Sequence, residues 1–254
     1  MARLIAMAEA SLSLLALLAL WYFVTRSGAI SDFLLPSPGQ VFVRIVADTS
    51  TGDLPTSLLL TLRTAGIGFA IAAVLGVVLG IAIARIALVR WFFDPLISLG
   101  FPMPKIAFLP VFLLWLGPGS ASQITIVAVS AIFPVVVAAS AGAEGVEQTL
   151  LWSARSLGGT ARGVLWQIVL PAITPQIFTG LQIALPVALV TTIVAEMLTG
   201  SDGIGGIMLG AMRFADSPGV FAGIVVIAAT GIVVVRAMEL LRGRFLRWHE
   251  EKKE

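Results

Sequence analysis

Cysteine is absent from the 254 residues, and histidine occurs once, as His249 in a charged tail. The first absence excludes disulfides, thiolate metal sites and a cysteine nucleophile. The second removes histidine acid–base chemistry from every apolar segment. Charge is also scarce, at 12% of residues, where an ordinary soluble domain carries about 25%. The lysines are Lys105, Lys252 and Lys253. None follows a glycine-rich turn, so the phosphate loop G-x-x-x-x-G-K-[ST] is missing and ATP binding through that motif is excluded. Serine-type intramembrane proteolysis needs a serine beside a histidine or lysine base. Lys105 has no such serine near it in sequence. No catalytic residue and no metal site are therefore expected. The net charge of +2 gives no reason to expect a nucleic-acid partner.

What is present is apolar: 58% of the chain. A soluble fold of this length cannot hide that much, because about half of any folded surface faces water. A bilayer can accept it. A spanning helix needs about 20 mostly apolar residues. Six stretches qualify: Leu4–Val24, Ser57–Ala84, Asp94–Leu116, Gln123–Ala139, Ile177–Leu198 and Val220–Met238. The first has an apolar run longer than a secretory signal core and no clear small-x-small cleavage site after it, so it reads as an uncleaved helix. The expected class is an all-α integral membrane protein of six transmembrane helices in a single domain, 1–254. Within it, 1–56 hold the first helix and an outer connection, 57–238 a five-helix core, and 239–254 a tail.

Charge sets the orientation. With the N-terminus inside, the inner segments hold Arg3, Arg85, Arg90, Arg155, Arg162, Arg236, Arg242, Arg244, Arg247, Lys252 and Lys253. The outer ones hold Arg26, Arg44 and Arg213. Basic residues favour the cytoplasmic side, so both termini are expected there. The mixed-charge tail from Arg236 onward reads as a solvated anchor for the last span.

In the second candidate span, Gly68, Ala72, Gly76, Gly80 and Ala84 place a small residue at every fourth position. Such a stripe lets two backbones approach closely in lipid and implies packing, not chemistry. The third reads Phe101-Pro102-Met103-Pro104-Lys105 and then Pro110. Proline removes a backbone donor and kinks a helix. At membrane depth the freed carbonyls must face protein or a water-filled cavity, so this helix is expected to wall a pathway. Pro186, near the middle of the fifth, draws the same expectation. The cluster Gly200, Gly203, Gly205, Gly206 and Gly210 follows no strand and reads as a tight re-entrant turn.

The inner connection from about 140 to 174 carries the strongest pattern. Leu150, Leu151, Ala154 and Leu157 lie at helical spacing. Gly158-Gly159 ends that helix, and Thr160 can cap the next, which runs into Pro171. The apolar surface of this helix–bend–helix suits either a docking surface or a helix lying on lipid headgroups; the residues alone leave both open.

Gly158, nine residues, Ile168, one residue, then Leu170-Pro171 resembles the E-A-A-x3-G-x9-I-x-L-P loop of ABC importer permeases. In that family the loop forms the coupling helix, which sits in a groove of the cytoplasmic ATPase. Trp152 stands where the family usually has glutamate, and Ser153 and Ala154 stand on the two alanines, so an acidic contact to the ATPase is not implied here. The resemblance assigns coupling to Trp152, Ser153, Ala154, Arg155, Ser156, Leu157, Gly158, Ile168, Leu170 and Pro171. Leu35-Pro36-Ser37-Pro38, Pro102-x-Pro104 with Pro110 and Trp115-Leu116-Gly117, Ile193-Val194-Ala195-Glu196 and Gly203-Ile204-Gly205-Gly206-Ile207 are similar to the nitrate/sulfonate/taurine branch. Other members of that branch are associated with thiamine-precursor pyrimidines, riboflavin, bicarbonate or aromatic acids.

The resemblance implies a second permease copy, expected as a homodimer, with two cytoplasmic ATPase subunits holding ATP and Mg. It also implies an extracytoplasmic substrate-binding protein and a prokaryotic inner membrane. No cofactor is expected on this chain. An ATP-independent secondary transporter or channel is the rival reading, but such proteins often show inverted repeats, and no convincing repeat is visible. Ionisable residues within spans are costly and usually functional. Lys105 is expected near the midplane, walled by Pro102 and Pro104, where paired lysines would favour an anionic solute. Glu196 is expected near the outer end of the fifth span, either clamped to Arg63 or facing the path. Arg63, in the second, either snorkels to headgroups or lines the path.

Overall fold

The computed structural model describes residues 2–246, with the side chains of 12, 13 and 15–246. The side chain of Arg3, and Arg247, His249, Lys252 and Lys253 with the rest of the tail end, lie outside the described residues. Every regular element described is helical. In chain order these are α1 (Ala2–Arg26), α2 (Pro38–Thr51), α3 (Asp53–Arg85), α4 (Ala87–Gly100) and α5 (Leu109–Leu116). Then come α6 (Ser120–Glu144), α7 (Gln148–Ser156), α8 (Ala161–Val164), α9 (Leu170–Thr199), α10 (Ile204–Arg213) and α11 (Ser217–Phe245).

Four helices are long and apolar enough to cross a bilayer: α3, α6, α11 and the run Ala161–Thr199, which joins α8 to α9. The join is a π-helical turn, Leu165–Val169, in which the Leu170 amide reaches back to the Leu165 carbonyl. Pro171 in the first turn of α9 has no amide to offer, so the turn widens rather than breaks. α11 runs to Phe245, so the first part of the charged tail continues the last helix.

The third candidate span departs from expectation. It is not one kinked helix over Asp94–Leu116 but two, α4 and Lys105–Leu116, bent by 100°. The break falls at Phe101–Pro104, where two prolines withhold amides and Pro104 disfavours helical geometry at Met103. Pro104 itself is extended, with ψ 92°. A one-turn 3₁₀ segment, Lys105–Phe108, then leads into α5, which carries Pro110 in its first turn. The described residues thus give four continuous spans and one broken pair. For α1, the part with described side chains, Leu15–Arg26, is shorter than a span.

The centre is a three-helix core. Ala72 of α3, Val127, Ala131 and Val135 of α6, and Ala184 and Ala188 of α9 bury one cluster. The small-residue stripe of α3 faces α6. A Cβ added at Gly80 would lie 2.7 Å from Ala139 Cβ and from the Val136 carbonyl, and one at Gly76 2.8 Å from Val135. Backbones this close gain dispersion contacts that a larger residue would forfeit. Gly180 does the same for α9, where a Cβ would sit 2.7 Å from Ala138. The outer connection is tied down by ions. Arg44 of α2 contacts Asp48 at 2.8 Å and Asp216 at 2.6 Å, and Asp216 also caps α11 by accepting from the Gly219 amide. The hydrogen bond to Asp48 raises the Arg44 guanidinium above its ordinary value, against the cost of desolvation.

Candidate functional site

The helical loop between α6 and α9 takes the shape its residues imply. α7 ends at Ser156, and Gly158 comes two residues later at φ +85°, a conformation other residues adopt only with strain. The Gly158 amide donates to the Arg155 carbonyl at 3.0 Å and the Gly159 amide to Ala154 at 2.9 Å. Thr160 then caps α8, its hydroxyl accepting from the Gly163 amide at 3.1 Å. Leu151, Val164, Val169 and Ile173 bury the inner side of the bend, with Ala154, Ile168 and Leu170 packed against them. The outer side is bare: Trp152 is 62% exposed and Leu157 89%. Ser153, Arg155, Ser156, Gly158 and Pro171 are exposed as well. The loop is anchored by one face and offers the other.

Thirty residues separate the ends of α9, about 45 Å at 1.5 Å per residue. Glu196 lies at the far end from the loop and is 1% exposed. Its Oε2 accepts from the Thr61 hydroxyl at 2.9 Å and from the Gly205 amide at 3.0 Å. Thr61 Oγ1 in turn accepts from the Ile204 amide at 3.0 Å. Two amides of the first turn of α10, which no intrahelical carbonyl can satisfy, are thereby taken up by α3 and α9. Gly203 and Gly205 leave room for this: a Cβ at Gly203 would overlap the Glu196 carboxyl, and one at Gly205 the Ile193 carbonyl. Of the two roles open to Glu196, the clamp to Arg63 does not form. Arg63 is exposed, and no ion pair joins the two among the described residues. Arg63 lies two positions from Thr61, so it points off a different side of the helix. Thr61 carries no charge to mark it in the sequence.

Lys105 begins the segment after the helix break. Its Nζ donates to the Phe101 carbonyl at 2.5 Å and lies 4.6 Å from the centre of the Phe133 ring. It lines an open cavity of about 400 Å³ between the break, α6 and α9. Pro104 lines this cavity too; Pro102 is exposed and outside it. Lys105, Glu196 and Arg63 keep separate sets of contacts and do not form one site. Ser130 and Thr191, which also line the cavity, bear no charge and gave no sequence signal, though Ser130 stands four residues before Pro134.

The family described as "Binding-protein-dependent transport system inner membrane component" matches residues 72–247. The chain is 32% identical over 244 residues to the taurine transport system permease protein TauC of Escherichia coli (strain K12), covering 94% of this chain and 89% of the relative. It is 30% identical over 244 residues to the formylaminopyrimidine transport permease protein ThiX of Halalkalibacterium halodurans, covering 96% and 97%. Among solved structures, an amino acid ABC transporter crystallised with histidines shares the fold with a TM-score of 0.63, at 18% identity over 80% of this chain and 96% of the other. The inward-facing MetNI methionine ABC transporter does so at 0.59, with 16% identity over 75% and 98%.

Proposed function

The chain belongs to the binding-protein-dependent transport system inner membrane components, and from that premise we propose how it works. It is a multi-pass permease subunit of an ABC importer. Two copies form the path, with α1 as a sixth span and both termini in the cytoplasm. The loop from Gln148 to Val164 docks on a separate ATPase, which holds ATP and Mg, and an extracytoplasmic binding protein delivers the solute. The solute is a small organic anion of the sulfonate kind, a reading supported by the likeness to TauC and by Lys105 in the broken span.

One observation carries the coupling role: a short helix is held rigidly by its buried face while Trp152 and Leu157 stand exposed beside the Gly158 bend. Exposed large apolar side chains on a well-anchored element are the anchors that protein interfaces use. ATP binding in the partner can drive transport only through contacts that differ between its two states, and this loop is the rigid handle such contacts need. The test is reconstitution in proteoliposomes with the partner ATPase and binding protein. Uptake of an organosulfonate is expected to require ATP and all three components. Uptake that persists without the ATPase would overturn the reading in favour of an ATP-independent transporter.

A further inference from the structure

We propose that the cavity at the helix break is a solute-binding site within the membrane domain, built to hold the anionic head of an organic solute beside an apolar tail. The inference rests on the importer reading and adds that this chain itself, and not the delivering protein alone, binds the solute.

Three polar side chains of the cavity point to this. Lys105 is the charged side chain lining it, and no carboxylate lines it. One of its three donors is spent on the Phe101 carbonyl, which leaves two for a ligand. The Phe133 ring fixes the ammonium from one side. Ser130 is 5% exposed, and its hydroxyl is the buried side-chain polar atom without a partner among the described residues. Pro134, four residues on, lies within α6 and has no amide to give the Ser130 carbonyl. Buried polar groups left unpaired cost free energy and are kept where something else satisfies them. Thr191 is the third. Thr174, Thr179, Thr192, Thr199 and Thr230 each return their hydroxyl to the carbonyl four residues back. Thr191 makes no such bond among the described residues, although it sits on the same helix as Thr192.

A cation and two unengaged hydroxyls belong to residues that line one acid-free cavity, which suits an oxyanion head. The remaining wall is apolar, with Ile183, Val187 and Val190 from α9 and Phe133 from α6. That wall accepts a hydrocarbon tail. It offers no carboxylate to an ammonium, so an alkanesulfonate is favoured here over a zwitterionic aminosulfonate.

The test uses the complete permease–ATPase complex in nanodiscs, without binding protein, titrated calorimetrically with pentanesulfonate, pentanoate and taurine. Saturable binding of pentanesulfonate is expected, with taurine weaker by about tenfold for its unpaired ammonium. Lys105→Gln should weaken pentanesulfonate by about tenfold or more, and Lys105→Arg should retain most of the affinity. Ser130→Ala and Thr191→Val remove one oxygen each, and each should weaken binding several-fold; they decide the matter if Lys105→Gln fails to assemble. Pentanoate binding as tightly as pentanesulfonate supports a site that reads charge, and weaker binding one that also reads the three oxygens. No saturable binding to the wild-type complex overturns the proposal, as does unchanged affinity in both Lys105→Gln and Ser130→Ala. If wild-type vesicles import the solute with ATP while the complex shows no such site, this inference alone fails. If they import nothing with ATP, the importer reading fails.

Discussion

At the scale of single residues, Glu196 is the exception that explains its neighbours. A carboxyl at 1% exposure survives because the Thr61 hydroxyl and the Gly205 amide both donate to it. It holds the start of α10 against α3 and α9, at the opposite end of α9 from the loop that carries Gly158. Glu196→Ala would strand the Gly205 amide and the Thr61 hydroxyl. An unsatisfied buried group costs about 1–3 kcal/mol, so the loss from two is expected at about 2–6 kcal/mol, read as a lowered thermal midpoint of the purified permease. Gln keeps an oxygen that can accept but buries a surplus NH2, so Glu196→Gln should fall between wild type and Ala. A melting curve for Glu196→Ala that overlays the wild type would show that α10 does not depend on this contact. The sequence marked Glu196 as costly, since an acid in an apolar run needs a reason. It could not identify the partner. Arg63 offered charge, but Thr61 and the Gly205 amide had the geometry, and neutral partners leave no trace in a charge pattern.

At the scale of elements, local chemistry decided what was legible. The Gly158-Gly159 stop and the Thr160 cap act on the backbone within a few residues of themselves, so the helix–bend–helix read from sequence is the one observed. The small-residue stripe of α3 also read correctly, because close approach needs small residues wherever the partner lies. The break at Phe101–Pro104 was visible as prolines, but its 100° angle was not. Proline says where a helix stops; the packing of Leu109 against Ile126 and Ala195 sets the direction in which α5 leaves the break. Ser130 was silent because its consequence is a missing bond. The bend at Gly158 yields the next prediction. Gly158→Pro fixes φ near −65° and removes the amide that donates to Arg155, so the bend cannot form as it is. The mutant should insert and melt close to wild type, since the core cluster of α3, α6 and α9 is remote from it. Its affinity for the ATPase should drop by about tenfold or more. Gly158→Ala bears only the left-handed strain, about 1–2 kcal/mol, and should fall between. Co-purification yields measure both, and full recovery of the ATPase by Gly158→Pro would remove this loop from the docking surface.

At the scale of the whole molecule, the proposed path is open on one side. The cavity beside Lys105 is open, and α9 exposes Ile183 at 54% and Val190 at 60% along one stripe beside it. α5 adds Leu114 at 85% and Trp115 at 74%. Lipid tails can cover apolar side chains, but they cannot satisfy Lys105 and Thr191 at the same surface. A second copy related by a two-fold axis would turn this face inward and close the path, and two-fold pairing is the commonest closed symmetry. The missing cysteines make the idea directly measurable, because a single introduced thiol has no native competitor. Val190→Cys, on the stripe, is expected to yield a species of twice the monomer mass when membranes are treated with a mild oxidant. Val74→Cys, 65% exposed on α3, should stay monomeric, because it lines no part of the cavity face. A disulfide also demands Cα atoms within about 7 Å of each other. A short bifunctional thiol crosslinker therefore covers the case in which the two α9 helices stand apart across an open path. Crosslinking through Val74→Cys but not Val190→Cys, with either reagent, would place the axis on α3 and take Lys105 away from the centre.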